Sequence, residues 1–178
     1  MNERARSVVS SVIAVFLMAV TTGDAQNRSP DDAAMMKRFA GTWLLVSWTN
    51  RLNDGTVRDF SNVSGYLIYA DTGHMCAVLM NRDRPRWTSE RAPTVEEMKA
   101  GLAAPTDFFA YCSTVEVHAK EGLLLHHVQL GKSPNIVGRT LKRRFTLEGS
   151  RLTLQVDPPE LTSPVVNSTL VWERAETK

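Results

Sequence analysis

The chain has 178 residues, of which 43% are hydrophobic and 22% are charged, and its 21 basic and 19 acidic residues leave a formal net charge of +2. Because the two signs are mixed along the sequence, no basic patch of the kind that binds nucleic acid is present, and we expect no nucleic-acid partner. The length suits one domain, large enough to bury a core without a metal or disulfide.

The first 25 residues have the pattern of a secretory signal peptide. Arg4 and Arg6 precede a mostly apolar run over residues 8–20, and Gly23-Asp24-Ala25 supplies small residues before a cleavage point. The apolar run is shorter than the ~20 residues that span a bilayer, although an uncleaved anchor is the alternative interpretation. We therefore expect an exported protein, periplasmic or secreted, with no stable membrane anchor after cleavage.

Residues 26–38 predict a polar lead-in followed by a short helix. Pro30 blocks a helix before it, and Asp31 and Asp32 then stand at the start of a helical pattern over residues 33–40. Carboxylates at this position cap free amides and suit the positive end of the helix dipole.

The remainder of the chain predicts short strands separated by glycine-containing turns. We expect strands near residues 42–50, 57–60, 64–70, 74–80, 109–118, 123–130, 136–147, 151–156 and 168–174. Regularly spaced short strands are typical of an antiparallel meander that closes into a barrel and so has no free sheet edges. The predicted fold class is therefore all-β, with a short N-terminal helix.

One long connection, residues 82–107, interrupts the meander with a helical insertion. It contains three prolines, and Thr94 with Glu97 three residues later forms a capping-box pattern for a helix near residues 94–100. Long connections in compact domains are often lids or binding loops. The alternative is a helix that covers apolar strand surface, and the sequence does not decide between them.

A series of short motifs resembles those of the lipocalin-like domain family, whose members are calycin-type β-barrels. In chain order the motifs are Gly41-Thr42-Trp43, Ser47-Trp48, Gly65-Tyr66-Leu67-Ile68-Tyr69, Gly73-His74-Met75, Arg82-Asp83-Arg84-Pro85, Ala110-Tyr111, His126-His127, Arg143-Arg144-Phe145, Arg151-Leu152-Thr153-Leu154 and Trp172-Glu173-Arg174. They place the barrel domain at residues 39–174, with a tail at 175–178. The resemblance implies that Trp43 plugs the closed end of the barrel while the Arg174 guanidinium stacks on its indole.

Alternation along three successive strands predicts a polar group inside the barrel. Tyr111, His126 and Arg143 each fall on the inward face, and Tyr66 or Tyr69 joins them from an earlier strand; we assign Tyr66 to the site. A buried arginine must be paired or hydrogen-bonded. The group therefore either binds a ligand carboxylate or enolate with an apolar tail, or it satisfies itself and a few buried waters.

Two function classes follow, of which we favour the first because a closed barrel supplies a cavity directly; a purely structural role is the third interpretation if side chains fill the interior. In the first, the barrel binds a small hydrophobic or amphipathic ligand through Tyr66, Tyr111, His126 and Arg143. In the second, it is a cofactor-independent isomerase or cyclase, with His126 as acid or base and Arg143 stabilising an anion. No nucleophile elbow, phosphate loop or nicotinamide fingerprint occurs, so we expect no cofactor and assign no catalytic residue.

Metal binding and disulfide formation are the remaining chemistries. His126 and His127 are adjacent and point to opposite faces of a strand, so they cannot chelate one metal together, and we expect no metal site. Cys76 and Cys112 lie on strands that are plausible neighbours. They form a disulfide only if both face outward, and alternation around Cys76 leaves its direction open.

Overall fold

The computed structural model describes residues 29–89, 92–103, 107–156 and 163–176. The predicted signal peptide and most of the predicted lead-in lie outside the described residues. The described helices are α1, Pro30–Phe39, and α2, Val95–Ala103. The strands are β1 Gly41–Leu52, β2 Val57–Asp59, β3 Val63–Tyr69, β4 His74–Asn81, β5 Phe108–His118, β6 Leu123–Gly131, β7 Thr140–Glu148, β8 Arg151–Val156 and β9 Val165–Arg174.

Eight of these strands close into an antiparallel barrel. Neighbours follow the order β1-β3-β4-β5-β6-β7-β8-β9, and β9 pairs back onto β1 to complete the ring. The short β2 adds only to the end of β1, where Thr49 lies opposite Asp59. Closure leaves no long free edge, and the predicted all-β barrel fold is confirmed.

The N-terminal helix begins earlier than predicted. Ser29 is the N-cap, its Oγ accepting a hydrogen bond from the Asp32 amide at 3.1 Å, and Pro30 occupies the first helical position. Proline is favoured there because an amide at the first turn has no intrahelical partner. Asp32 instead accepts a hydrogen bond from the Ala119 amide at 2.7 Å, which ties α1 to the turn after β5.

Strand β7 begins four residues later than predicted. A short 3-10 helix, Pro134–Ile136, and Gly138 at φ +80° occupy the expected start of the strand. The Gly138 amide donates to the Val128 carbonyl at 2.9 Å, so this segment folds back onto β6 before pairing begins. Left-handed backbone is incompatible with a continuous strand, which explains the shorter β7.

The two ends of the barrel differ. Helix α1 precedes the first residue of β1 and packs Phe39 and Met36 into the core, which closes that end. Because successive strands are antiparallel, the connections after β4, β6 and β8 all lie at the opposite, open end. The long connection after β4 therefore lies at the barrel opening.

Helix α2 in this connection carries the predicted capping box. Thr94 Oγ1 accepts from the Glu97 amide at 3.2 Å, and the Glu97 carboxylate accepts from the Thr94 and Thr88 amides, each at 2.7 Å. Among the described side chains of α2, however, Val95 and Met98 are exposed. These two residues do not cover apolar strand surface. None of the helices in the described ranges is long and apolar enough to cross a membrane.

The two cysteines form a disulfide. Cys76 and Cys112 lie directly opposite each other on β4 and β5, with their Cα atoms 4.1 Å apart. Their neighbours Met75, Ala77 and Tyr111 are buried, so both cysteines face outward. The structure thus resolves the alternative that alternation left open.

Candidate ligand site

A cavity of about 400 Å³ lies inside the barrel. Much of its wall is apolar, with contributions from Leu67, Leu79, Leu141, Leu154, Leu170 and Trp172. Polar groups also line it, among them Asn50, Tyr111, Arg139, Arg143 and Ser168. Side chains therefore do not fill the barrel completely.

The closed end of the barrel is built as the family resemblance implies. Trp43 is fully buried, and its indole Nε1 donates to the Phe39 carbonyl of α1 at 2.9 Å. The Arg174 guanidinium carbon lies 4.1 Å from the centroid of the Trp43 ring, and Nη1 donates to the Ala40 carbonyl at 2.7 Å. A second donation, from Nη2 to the Arg38 carbonyl, ties β9 to the end of α1.

A buried chain of hydrogen bonds runs behind the cavity wall. His126 is completely buried on β6; its Nδ1 lies 2.8 Å from the Tyr111 hydroxyl and its Nε2 lies 3.1 Å from the Tyr69 hydroxyl. Both tyrosines are themselves buried, and all three side chains face the barrel interior. His126 thus holds the Tyr111 ring, which borders the cavity, in a fixed position.

Burial keeps His126 and Tyr69 neutral. Desolvation lowers the pKa of His126 well below its ordinary value, and the nearby positive charge of Arg143 acts in the same direction. Desolvation raises the pKa of Tyr69 well above its ordinary value. A neutral imidazole has one donor and one acceptor nitrogen, so one tyrosine donates to His126 and the other accepts from it.

The position of His126 is relevant to the alternative function, an isomerase or cyclase in which this residue acts as the acid or base. Both ring nitrogens are engaged by tyrosine hydroxyls, and the residues that line the cavity include Tyr111 but not His126. A proton delivered to a ligand through Tyr111 and His126 would leave a phenolate at Tyr69, which its burial disfavours. The geometry suits a positioning role for His126.

The inward direction predicted for Arg143 agrees with the structure. Its half-buried side chain lines the cavity, and Nη1 donates to the Lys142 carbonyl at 2.7 Å. The adjacent Arg144 is exposed and lies outside the barrel. A guanidinium held at an apolar wall can pair with a carboxylate through parallel hydrogen bonds.

The assignment of Tyr66 to the interior is wrong. Tyr66 is 55% exposed on the outer face of β3, whereas Leu67 and Tyr69 are buried. In the sequence around Tyr66 both faces of the strand are apolar, so alternation could not choose between Tyr66 and Tyr69. Tyr69 takes the place next to His126 that Tyr66 was expected to share.

Several residues that line the site were not recognised in the sequence. Trp48 Nε1 donates to Ser168 Oγ at 2.9 Å and to Asn50 Oδ1 at 3.1 Å, which orders the polar end of the cavity. Arg139 has the same parity as Arg143, so the alternation that placed Arg143 inside would have indicated it. The pairing of Asn50 with Ser168 depends on barrel closure and has no signal in the sequence.

The outer histidines are engaged at the surface. His127 contacts Thr140 Oγ1 at 2.9 Å and Glu116 Oε2 at 3.2 Å, and His74 contacts Thr72 Oγ1 at 3.2 Å. Within the described ranges, no three histidine, cysteine or carboxylate side chains are grouped so as to hold a metal ion.

The chain is similar to proteins of known structure. Among solved structures, a lipocalin-like protein from Bacteroides uniformis ATCC 8492 has 11% identity and a TM-score of 0.41, covering 77% of this chain and 98% of that one. An uncharacterized protein from Bacteroides eggerthii DSM 20697 has 9% identity and a TM-score of 0.39, covering 77% and 99%. No functionally curated protein matches the chain. Residues 40–175 match the family described as lipocalin-like domain, and the chain belongs to this family.

Proposed function

We propose that this protein is an exported binding protein for a small amphipathic molecule with an anionic head group. The observation that carries the proposal is the cavity of about 400 Å³, with an apolar wall that includes the half-buried Arg143. Small-molecule sites are typically apolar cavities of ~300–1,000 Å³ with a few well-placed polar groups. A ligand tail would bury apolar surface, and a carboxylate would pair with the guanidinium.

The positions of the polar groups suggest how the ligand lies. Asn50, Ser168 and Val156 are successive partners across β1, β9 and β8, and Val156 is the last residue of β8, at the open end. Arg139 immediately precedes β7 at the same end. We place the head group toward this polar end and the tail toward Leu67 and Trp172.

Binding rather than catalysis is proposed because of the state of His126. Catalysis by this residue would require a ring nitrogen within reach of the ligand, but tyrosine hydroxyls occupy both. Tyr111 instead offers a hydroxyl at the cavity wall, oriented by the imidazole. A rigid, neutral hydrogen-bonding group suits recognition of a head group without proton transfer.

The test is native mass spectrometry of the protein purified from its own host, followed by extraction and identification of whatever is released on denaturation. We expect a stoichiometric small amphipathic acid. The Arg143→Met variant should lose it, whereas the matched Arg144→Met variant, changed on the outer face, should keep it. Equal ligand content in the two variants would contradict the proposed role of Arg143.

A protein free of bound molecules would be tested further by calorimetric titration with decanoate. Binding by the wild type that is weakened in Arg143→Met would support the proposal. Absence of binding by decanoate and by the neutral analogue decanol would contradict the proposed function.

A further inference from the structure

Trp172 lies in the wall of the barrel cavity and carries a buried hydrogen-bond donor that the protein does not satisfy. The residue is 1% exposed, and its side chain lines the cavity. Within the described ranges, no side-chain or backbone atom accepts a hydrogen bond from its indole Nε1. Buried polar groups are otherwise almost always hydrogen-bonded, and the N–H groups of buried tryptophans usually follow this rule. The donor of Trp172 therefore requires an explanation.

The two other tryptophans of the barrel satisfy their N–H groups within the fold. Trp43 Nε1 donates to the Phe39 carbonyl at 2.9 Å. Trp48 Nε1 donates to Ser168 Oγ at 2.9 Å, although Trp48 is less buried than Trp172. An acceptor is thus built for each of these indoles, and the exception is the one in the inner wall of the cavity.

The strand registers place Trp172 at the inner end of the cavity. Leu45 of β1 and Leu152 of β8 lie opposite it on either side. It precedes by two residues Arg174, which covers the closed end of the barrel. Ser168 lies four residues nearer to the opening on the same strand, or ~13 Å at 3.3 Å per residue.

The polar groups of the cavity form a row at the other end. Ser168 pairs with Asn50 on one side and with Val156 on the other. The register of β7 with β8 places Arg143 beside Val156, so the row extends over four neighbouring strands. A ligand whose head group occupies this row extends its tail toward Trp172.

A buried water is a poor source of the acceptor for this donor. Buried waters typically make ~3 hydrogen bonds to polar groups of the protein. The wall beside Trp172 is apolar, because Leu152 lies opposite it and Leu154 and Leu170 form the next inward pair toward the opening. A water at this position would have too few partners. A molecule bound in the cavity contacts the Trp172 side chain and can supply the acceptor itself.

The unsatisfied donor defines what the ligand tail must offer. A hydrocarbon chain has no acceptor, so it would bury the N–H group without compensation. A carbonyl or hydroxyl oxygen in the tail would provide one. A second charged group would not suit this position, because the neighbouring Leu152, Leu154 and Leu170 carry no charge to pair with it.

We propose that the ligand is an oxygenated amphipathic acid, whose tail carries a carbonyl or hydroxyl oxygen that accepts a hydrogen bond from Trp172 Nε1. The inference rests on the proposed function, because it takes the anionic head group to bind near Arg143. Trp172 then selects tails with an oxygen at the inner end of the cavity. A site with a buried donor discriminates against ligands that leave this donor unpaired.

The test is calorimetric titration with two keto isomers of decanoate, one with its carbonyl at the penultimate carbon and one with its carbonyl at mid-chain. Because the isomers share composition and charge, the ratio of their dissociation constants reports where the acceptor is needed. We expect the penultimate isomer to bind the wild type ~3- to 10-fold more tightly, the value of one hydrogen bond.

Two tryptophan variants then locate the donor. Trp172→Phe should bring the ratio to about one. Trp48→Phe is the matched control, because it removes an indole N–H at the polar end of the cavity and should keep the wild-type ratio. Comparing ratios within each variant cancels any general loss of affinity from the smaller ring.

The outcomes separate this inference from the proposed function. Equal affinity of the wild type for the two isomers, or a ratio that survives in Trp172→Phe, would overturn the inference; binding of decanoate in the same series would leave the proposed function in place. Absence of binding by decanoate, by decanol and by both keto acids would contradict the proposed function and the inference together.

A second measurement needs no variant that must fold. The indole N–H resonance of Trp172 in the wild type, assigned through its contacts with Leu152, should move downfield when the penultimate isomer is added, as expected for a new hydrogen bond. The exposed Trp87 provides the reference resonance. A Trp172 resonance that moves no more than that of Trp87 would overturn the inference.

Discussion

The Arg174 guanidinium lies 4.1 Å from the centroid of the Trp43 ring, joining the last strand of the barrel to the first. Its donations to the Ala40 and Arg38 carbonyls satisfy backbone groups at the end of α1. One side chain therefore supports the indole at the closed end, the junction of β9 with β1 and the end of the helix. The cavity beyond Trp43 depends on this closure.

We expect Gly41→Ala to loosen this closure. Gly41 has φ +130°, and a Cβ atom there would lie 2.7 Å from Arg174 Nη1, so the guanidinium would be displaced. The free energy of unfolding should fall by about 2–4 kcal/mol, because the variant gains backbone strain and loses the cation–π contact. Gly138→Ala is the control, because its φ is +80° but its Cβ would meet nothing within 4 Å. If urea unfolding shows that Gly41→Ala and Gly138→Ala lose equal stability, the Arg174 contact contributes little.

The disulfide should also contribute to the free energy of unfolding. Cys76 and Cys112 enclose the connection at the barrel opening, with a sequence separation of 36 residues. Loop-entropy arguments give about 3–4 kcal/mol for a loop of this length. We expect the Cys76→Ser/Cys112→Ser double variant to lose this amount in urea unfolding. Dithiothreitol should bring the wild type to the same stability and leave the variant unchanged; an effect of dithiothreitol on the variant would point to another cause.

The sequence predicts the barrel better than it predicts the site. Every strand was expected, because turn glycines and period-2 patterns are local signals. Inward Tyr111 and Arg143 followed from alternation, since the opposite face of each of their strands is more polar. The pattern that placed His126 inside is weaker, because Leu123 and Leu125 on the other face of β6 are apolar too. Tyr66 was misplaced because both faces of β3 are apolar, although Tyr66 and Ile68 on one of them are exposed.

Features that depend on which strands meet were harder to predict. The contact of Trp48 with Ser168 spans 120 residues and exists only because β9 closes onto β1. Local patterns carry no information on such a pair.

Stability should fall as the solution is acidified through the range in which free histidine titrates. His126 is neutral in the folded protein because burial lowers its pKa, whereas in the unfolded chain its pKa is ~6.5. Below pH ~6.5 the unfolded state binds the extra proton, so the free energy of unfolding drops by up to ~1.4 kcal/mol per pH unit until the folded pKa is reached. Above pH ~6.5 His126 is neutral in both states, and the stability that is lost in acid is fully present.

Urea unfolding between pH 5 and 8 would measure this dependence. Asp32, whose pKa is lowered by the Ala119 amide, contributes only in more acidic solution and does not obscure the effect. His126→Asn should flatten the profile, whereas His74→Asn, changed at an exposed histidine, should retain the wild-type slope. An unchanged slope in His126→Asn would assign the dependence to other groups.

Arg143 should distinguish an acid from an alcohol of the same chain length. A charge-assisted hydrogen bond to the guanidinium contributes ~1.5–3 kcal/mol, so Arg143→Met should weaken decanoate binding by ~10- to 100-fold. Decanol should lose much less, because it carries no charge. Calorimetric titration of both ligands into Arg143→Met and the outward Arg144→Met gives the comparison; parallel losses for acid and alcohol would mean that Arg143 shapes the cavity without pairing with the head group.

The two tyrosines of β3 offer the sharpest comparison of interior and surface. Tyr69→Phe removes the hydroxyl 3.1 Å from His126 Nε2 and leaves a buried ring nitrogen without that partner. Such a loss costs ~1–3 kcal/mol, and freeing the imidazole should also weaken ligand binding by loosening Tyr111. Tyr66→Phe, three residues away on the exposed face, should change neither the free energy of unfolding nor that of ligand binding by more than ~0.5 kcal/mol. If both variants unfold at the same urea concentration, the buried hydrogen-bond chain is not what holds Tyr111 at the cavity wall.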